Sequence, residues 1–252
     1  MSLGVELINI NKSFGERTVL DEVSIKINPG ESFVILGSSG TGKSVMLKLI
    51  AGLMEPDAGQ IIVGDVIINE ATNRVKRNLW KNIGYLFQEN ALFDWLNLWQ
   101  NVGFKDLFYY NKKPELVKEK AIEKLLAVGI SLDAIELYPS QISGGMQKRA
   151  GIARAIMHSP RLMLFDEPTS GLDPIISNTI NYLTIEMSKK IGATAITITH
   201  DINSAKIVGD RVGLLYKGKF IWCGTREEFA TTTNPAVMQF ILGNEKGPWH
   251  VI

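Results

Sequence analysis

The chain has 252 residues, room for one large domain or two small ones, and its 45% hydrophobic and 21% charged residues are those of a globular protein with a sizeable core. Lys plus Arg number 27 against 26 Asp plus Glu, so net charge gives no case for a nucleic-acid or acidic-surface partner. No apolar segment reaches membrane-spanning length and the N-terminus lacks a signal peptide's layout, so the expectation is a cytosolic chain that meets a membrane only through a partner.

The first stretches alternate like half-buried strands, at residues 5–10 and 23–27. Gly15 and Gly30 sit in ordinary turn contexts, the second in Asn28-Pro29-Gly30. The apolar run Phe33-Val34-Ile35-Leu36 then reads as a buried strand feeding Gly37-Ser38-Ser39-Gly40-Thr41-Gly42-Lys43-Ser44, the pattern G-x-x-x-x-G-K-S of a phosphate-binding loop, with a helix from Val45. Glycines let the backbone turn several N–H groups toward phosphates at the positive end of a helix dipole. Lys43 is expected to reach the β- and γ-phosphates and the Ser44 hydroxyl to sit on Mg²⁺. A plain turn would need neither Lys followed by Ser nor the strand–loop–helix context, so a nucleoside triphosphate is the expected ligand.

A turn at Pro56-Asp57-Ala58-Gly59 leads to a strand at Ile61-Ile62-Val63, and residues 83–87 form another that ends at Gln88. From about Glu89 to Met157 the pattern is helical: Val117, Ala121, Leu125 and Val128 share one face, Gly129 is a stop, and residues 146–157 form a further helix. Strands return at Leu162-Met163-Leu164-Phe165 and Ala195-Ile196-Thr197-Ile198-Thr199, and Asp173-Pro174 is a helix start between them. The fold class is therefore α/β with an inserted helical subdomain. Cys223, the single cysteine, lies in the apolar run Phe220-Ile221-Trp222-Cys223, is expected in strand packing, and cannot form an internal disulfide. From Thr233 a polar-apolar appendage runs to Ile252; Trp249 within it either anchors on a partner copy or belongs to a disordered end.

Asp166 and Glu167 close the strand that begins at Leu162. Adjacent carboxylates at the end of a buried strand are costly without a cation or polar ligand. Asp166 is expected to hold Mg²⁺ through water, and Glu167 to orient or deprotonate the attacking water.

The run Ile142-Ser143-Gly144-Gly145-Met146-Gln147-Lys148-Arg149 resembles the signature of ABC-type ATPases. Small residues at a helix start present N–H groups and a hydroxyl to a γ-phosphate. The resemblance implies a P-loop NTPase (RecA-like) core with an inserted helical subdomain and a small antiparallel β region. It also implies that Ser143, Gly144 and Gly145 of one copy contact ATP held by the phosphate loop of another, so the competent species is a homodimer. Gln88 matches the family's glutamine loop, which senses Mg²⁺ and water and touches the membrane partner. Ser170-Gly171-Leu172-Asp173 matches the loop that crosses the dimer interface, His200 the switch histidine at the γ-phosphate, and Phe14 the aromatic that stacks on adenine. His158 and His250 are read as ordinary packed or surface residues. Departures are Ile142 and Met146, where leucine and glutamine are commonest; Met146 bears on coupling across the interface. The implied division is an ATPase domain over 1–232 (core 1–88 and 158–232, helical subdomain 89–157) and a C-terminal extension over 233–252.

Within that family the chain is similar to the Mla-type ATPases, which power phospholipid transport between inner and outer membranes. The similar runs are Leu86-Phe87-Gln88-Glu89-Asn90-Ala91-Leu92-Phe93 with Asn101-Val102, then Ser143-Gly144-Gly145-Met146, and the tail from Asn234-Pro235-Ala236. The resemblance implies integral membrane permease subunits, periplasmic lipid-binding and small cytosolic regulatory subunits, and a place on the cytoplasmic face of the inner membrane. A polar-solute importer ATPase would carry the same motifs and stays open. A soluble factor acting on ribosomes or DNA usually has two ATPase domains or a coiled-coil insertion, neither of which is read here. Of the aromatics Trp95, Trp99, Phe104, Phe108, Tyr109 and Tyr110, most are expected in the subdomain core, with some lining a groove for a membrane-subunit helix.

Overall fold

Apolar runs punctuated by Gly, Pro and Asn turns form two sheets, and the computed structural model describes residues 2–248 of the chain. Trp249 and His250, singled out in the sequence, lie outside the described residues.

The first sheet is antiparallel, in the order β2-β1-β4-β5, from β1 (Val5–Phe14), β2 (Arg17–Ile27), β4 (Ala58–Val63) and β5 (Val66–Ile67). β1 and β2 are longer than their alternating cores because irregularities at Asn9 and Glu22, both at positive φ, carry the hairpin past the point where alternation stops. The second sheet runs β10-β9-β3-β8-β7-β6, from β3 (Ser32–Leu36), β6 (Ile83–Leu86), β7 (Leu162–Asp166), β8 (Thr194–Thr199), β9 (Arg211–Tyr216) and β10 (Lys219–Thr225). Its strands are parallel except at the β9–β10 hairpin. The parallel strands are buried on both faces, hence their continuous apolar runs.

Helix α1 (Lys43–Ile50) packs Met46, Leu47, Leu49 and Ile50 between the sheets, in one cluster with Leu7, Ile27, Ile35 and Ile198. A second cluster joins α3 (Leu98–Phe104), α4 (Pro114–Ala127) and α5 (Gly144–Ala155) to Leu86, Met163 and Phe165 of the sheet. The face Val117, Ala121, Leu125 and Val128 is buried, and Gly129 stops α4 at φ 75°. Helix α2 (Asn73–Trp80), not among the elements read from the sequence, buries only Leu79. The third cluster gathers α7 (Ile202–Val208), α8 (Arg226–Thr231) and α9 (Pro235–Leu242) around Val34, Leu36 and Leu214, with Val237 and Phe229 fully buried. The first described residues past Thr233 thus add a helix to the main sheet. α6 (Pro174–Ile191) covers the same face of the sheet as α5.

Two sequence expectations are corrected. Cys223 is exposed, not packed: a register shift between Phe220 and Trp222 breaks the alternation of the edge strand β10 and leaves the thiol outward. Of the six aromatics assigned mostly to the subdomain core, only Trp99 is buried; Trp95 (64%), Phe108 (55%) and Tyr109 (65%) are exposed. The chain leaves α3 through a π-helical turn, Lys105–Tyr109, which points Asp106 inward and its aromatic neighbours outward.

Candidate active site

Register places the site. Leu36 of β3 pairs with Thr199 of β8, and Asp166 of β7 with Ile198, so Gly37, Glu167 and His200 all leave the sheet at one carboxyl edge. Ligands of open α/β sheets bind at this edge.

Residues 37–44 turn from β3 into α1. The Gly37 N–H donates to Thr199 O at 3.3 Å. Gly42 caps the helix at φ 101°, and a Cβ there would stand 2.9 Å from Val19 O, so only glycine fits the hairpin's close approach. Thr41 Oγ1 donates to Ser38 O at 2.9 Å, and Arg17 reaches Gly40 O at 3.4 Å; Ser39 and Gly40 are exposed at the tip. The buried Lys43 ammonium donates to Gly37 O (2.7 Å) and Ser38 O (2.8 Å) and stands 3.6 Å from Glu167 Oε1. Burial lowers its pKa, and Glu167 opposes that.

β7 ends in the two acids with both nearly buried. Asp166 accepts from Ser44 Oγ at 3.1 Å and from Tyr85 OH at 3.4 Å. Burial pushes its carboxyl above the ordinary range, the Ser44 hydroxyl pulls it back, and the Glu167 charge adds to the rise. Glu167 sits at φ 48°, held there by its N–H on Ile198 O (3.0 Å); its Oε2 accepts the His200 backbone N–H (3.3 Å) and meets His200 Nδ1 at 2.9 Å. A non-glycine residue in the left-handed region at a carboxylate pocket is strain of the kind that clusters at working sites.

Lys43, Ser44, Asp166, Glu167 and His200 are therefore one contiguous group. The other candidates lie apart from it. Gln88 is exposed two residues past β6, and its carbonyl accepts from the buried Lys148 ammonium. Ser143 caps α5, its Oγ accepting the Met146 N–H, with Gly144 and Gly145 as the helix's first residues; Gly145 has room only for hydrogen beside Ile176. Asp173 caps α6 through the N–H groups of Ile175 and Ile176. Phe14 is half exposed at the end of β1, with Lys12 over its ring at 5.5 Å. Among the described residues no hydrogen bond or ion pair joins Ser143, Asp173 or Phe14 to the phosphate loop of the same chain.

Sequence reasoning missed the supporting shell. Tyr85 carries a signal only in its alternation with Leu86 on β6. Lys148 and Arg154 read as ordinary helix residues, yet both are turned inward: the Arg154 guanidinium donates to Asn90 O (2.5 Å) and Ala91 O (2.6 Å), and burial lowers its pKa to about 10.

Ser44 Oγ and the Asp166 carboxylate are hard oxygens side by side, one of them anionic, which suits Mg²⁺ bound chiefly through nucleotide phosphates and water. Among the described residues no group of three or more His, Cys, Asp or Glu could hold a metal unaided.

Residues 20–170 match the pattern of the family described as ABC transporter. The chain is 39% identical over 248 residues to the probable ribonucleotide transport ATP-binding protein mkl of Mycobacterium tuberculosis, covering 98% of this chain and 69% of that one. It is 34% identical over 244 residues to the intermembrane phospholipid transport system ATP-binding protein MlaF of Haemophilus influenzae, covering 97% of this chain and 92% of that one. A solved dimer of the ATP-binding cassette MJ0796, in a post-hydrolysis state with ADP and Pi, superposes with TM-score 0.80 at 31% identity, over 88% of this chain and 98% of that one.

Proposed function

Because this chain belongs to the ABC transporter family and is an ATPase subunit of that kind, we propose that it powers phospholipid transport between inner and outer membranes. The similarity to MlaF along nearly all of both chains carries that substrate assignment. No described helix is long and apolar enough to cross a membrane, which fits a subunit held peripherally on the cytoplasmic face of the inner membrane by integral permease subunits. Periplasmic lipid-binding and small cytosolic regulatory subunits complete the proposed assembly, and nucleic acid has no part in it. The proposed division is an ATPase domain over 1–232, whose helical subdomain is 89–157, followed by an extension over 233–252.

The working form is a homodimer around two ATP. Phe14 stacks on adenine, residues 37–44 wrap the phosphates, and Ser143, Gly144, Gly145 and Asp173 reach the nucleotide of the partner copy. Ser44 and Asp166 would hold Mg²⁺, with Gln88 as a further contact from the loop after β6, and the ion would neutralise phosphate charge. Lys43 leaves the loop carbonyls for the γ-phosphate. Glu167 orients the attacking water and takes its proton as the bond from the γ-phosphorus to the bridging oxygen breaks. His200 holds Glu167 through Nδ1, and its other ring nitrogen is available to a phosphate oxygen.

The test is a pull-down of the Glu167→Gln chain from its own membranes with ATP present. A permease, a lipid-binding periplasmic subunit and bound phospholipid are expected. A solute-binding protein without lipid enrichment would move the assignment to a polar-solute importer; ribosomal or DNA-bound partners would remove transport altogether.

A further inference from the structure

Helix α6 buries a polar stripe where an amphipathic helix normally buries aliphatic residues. Asn181, Thr184 and Ser188 stand at i, i+3 and i+7 on its inner face, at 0%, 1% and 5% exposure. Thr197 of β8 turns to the same side, since it is two residues along the strand from Ala195, which packs with Ile180 and Met187 of α6. Asn181 Oδ1, Ser188 Oγ and Thr197 Oγ1 are buried with no hydrogen-bond partner. Buried polar atoms in native folds are nearly always paired, so Ser188 Oγ, the one of the three that lines a cavity, calls for an occupant.

A cavity of about 610 Å³ between α6 and α7 opens onto the Thr184–Ser188 end of this stripe, where the Thr184 hydroxyl donates to Asn181 O at 2.7 Å, at the amino ends of β3 and β8, the end of the sheet opposite Lys43 and Glu167. Its volume is that of a small-molecule pocket. Phe165, Ile185 and Val208 supply apolar wall, Ser188 a buried hydroxyl, and Lys189 and Arg226 the exposed cations. Of the acids on the lining, Glu31 pairs with Arg211 at 2.9 Å, while Asp210 accepts the Ser32 N–H at 2.9 Å and has no ion pair among the described residues. Arg226 meets Glu227 only at 3.9 Å, and Lys189 has no ion pair among the described residues. Apolar walls, an inner hydroxyl and a rim that carries the exposed Lys189 and Arg226 are complementary to an anionic amphiphile, an alkyl chain ending in a carboxylate or phosphate.

The stripe also leads to the hydrolytic group. Asn181 Nδ2 donates to Ser204 Oγ at 2.8 Å, and Ser204 Oγ donates to Asp201 Oδ2 at 2.6 Å, next in the chain to the histidine that holds Glu167. We propose that the cavity between α6 and α7 is an effector site for an anionic amphiphile, and that its occupancy changes the rate of ATP hydrolysis through Asn181, Ser204 and Asp201. The site is distinct from the nucleotide pocket and does not depend on which solute the transporter carries.

The test uses the full chain with dodecanoate and dodecyl phosphate, below their micellar concentrations, and dodecanol as the neutral control, in calorimetric titrations and in ATP hydrolysis assays. Both anions are expected to bind at least about tenfold more tightly than dodecanol, with the tighter of the two naming the head group. Lys189→Glu should weaken both by about tenfold while leaving ATP affinity and basal hydrolysis unchanged. Ser188→Leu, which removes the buried hydroxyl and narrows the cavity, should weaken binding of both anions; if that variant does not fold, the exposed Lys189→Glu still decides. Bound dodecanoate or dodecyl phosphate should change wild-type hydrolysis by about twofold or more. Equal binding of dodecanol, undiminished binding by Lys189→Glu, or no binding at all (a merely hydrated cavity) overturns the site. Binding with unchanged hydrolysis overturns its regulatory role.

Discussion

The His200 ring nitrogen Nδ1 lies 2.9 Å from Glu167 Oε2, and the same oxygen accepts the His200 backbone N–H at 3.3 Å. One carboxylate oxygen is thus tied to β8 while the other stands 3.6 Å from Lys43. Glu167→Gln keeps the shape but removes the proposed proton acceptor. Steady-state hydrolysis should fall about a hundredfold or more, with ATP affinity retained in equilibrium titration. Near wild-type turnover would refute the assignment of Glu167.

The separation of Ser143 from the phosphate loop of its own chain makes a division of labour testable. Ser143→Arg should still bind ATP but not hydrolyse it, whereas Lys43→Ala should lose nucleotide affinity itself. Mixing the two variants assembles dimers with one intact composite site, so partial activity should return. If the mixture stays as inactive as its components, the signature does not act across copies.

Asp166 carries a stability cost that is present at neutral pH. Its folded-state pKa is raised, chiefly by burial, so the folded protein prefers the protonated form and stability falls as pH rises from the unfolded to the folded pKa. Asp166→Asn should therefore melt higher than wild type at neutral pH without metal or nucleotide, and lose Mg²⁺-dependent hydrolysis. The advantage in Tm should shrink as pH is lowered into the carboxylate range. A constant or growing advantage on acidification would contradict the burial argument.

Arg154 holds the loop after Gln88. Its guanidinium is hydrogen-bonded to the carbonyls of Asn90 and Ala91, successive residues at φ 59° and 49° that would not keep that conformation unaided. Arg154→Met should cost roughly 2–3 kcal/mol in urea unfolding. Hydrolysis should fall further than ATP affinity does, since the segment at issue carries Gln88. Unchanged stability would mean the loop holds itself.

Trp95 and Trp99 are four residues apart and differ in kind: 64% against 8% exposed, with Trp99 Nε1 donating to Glu136 at 3.1 Å. Trp99→Ala should destabilise the chain by roughly 3–5 kcal/mol. Trp95→Ala should leave thermal stability and ATP binding alone but reduce recovery of membrane subunits in the pull-down. Undiminished recovery and transport would remove Trp95 from the partner surface.

The local pieces of the candidate site were legible from the residues. Gly37 to Ser44 are contiguous, Asp166 and Glu167 end an apolar run, and Ser143 and Asp173 precede helices as caps. In each case identity and short spacing set the local geometry, because backbone N–H groups, a hydroxyl and a carboxylate point where local structure puts them. The α/β class followed likewise from buried parallel strands reading as continuous apolar runs. What only the tertiary structure decided is which side chains meet from distant segments. Tyr85 reaches Asp166, Lys148 and Arg154 turn inward to carbonyls beyond β6, and the aromatics after Phe93 split between core and surface at a π-helical turn. The edge-strand irregularity at Cys223 and the buried stripe of α6 belong to the same set. A lysine, an asparagine or a tryptophan has the same local preference whichever way it faces; burial and partners come from packing, which short-range spacing does not encode.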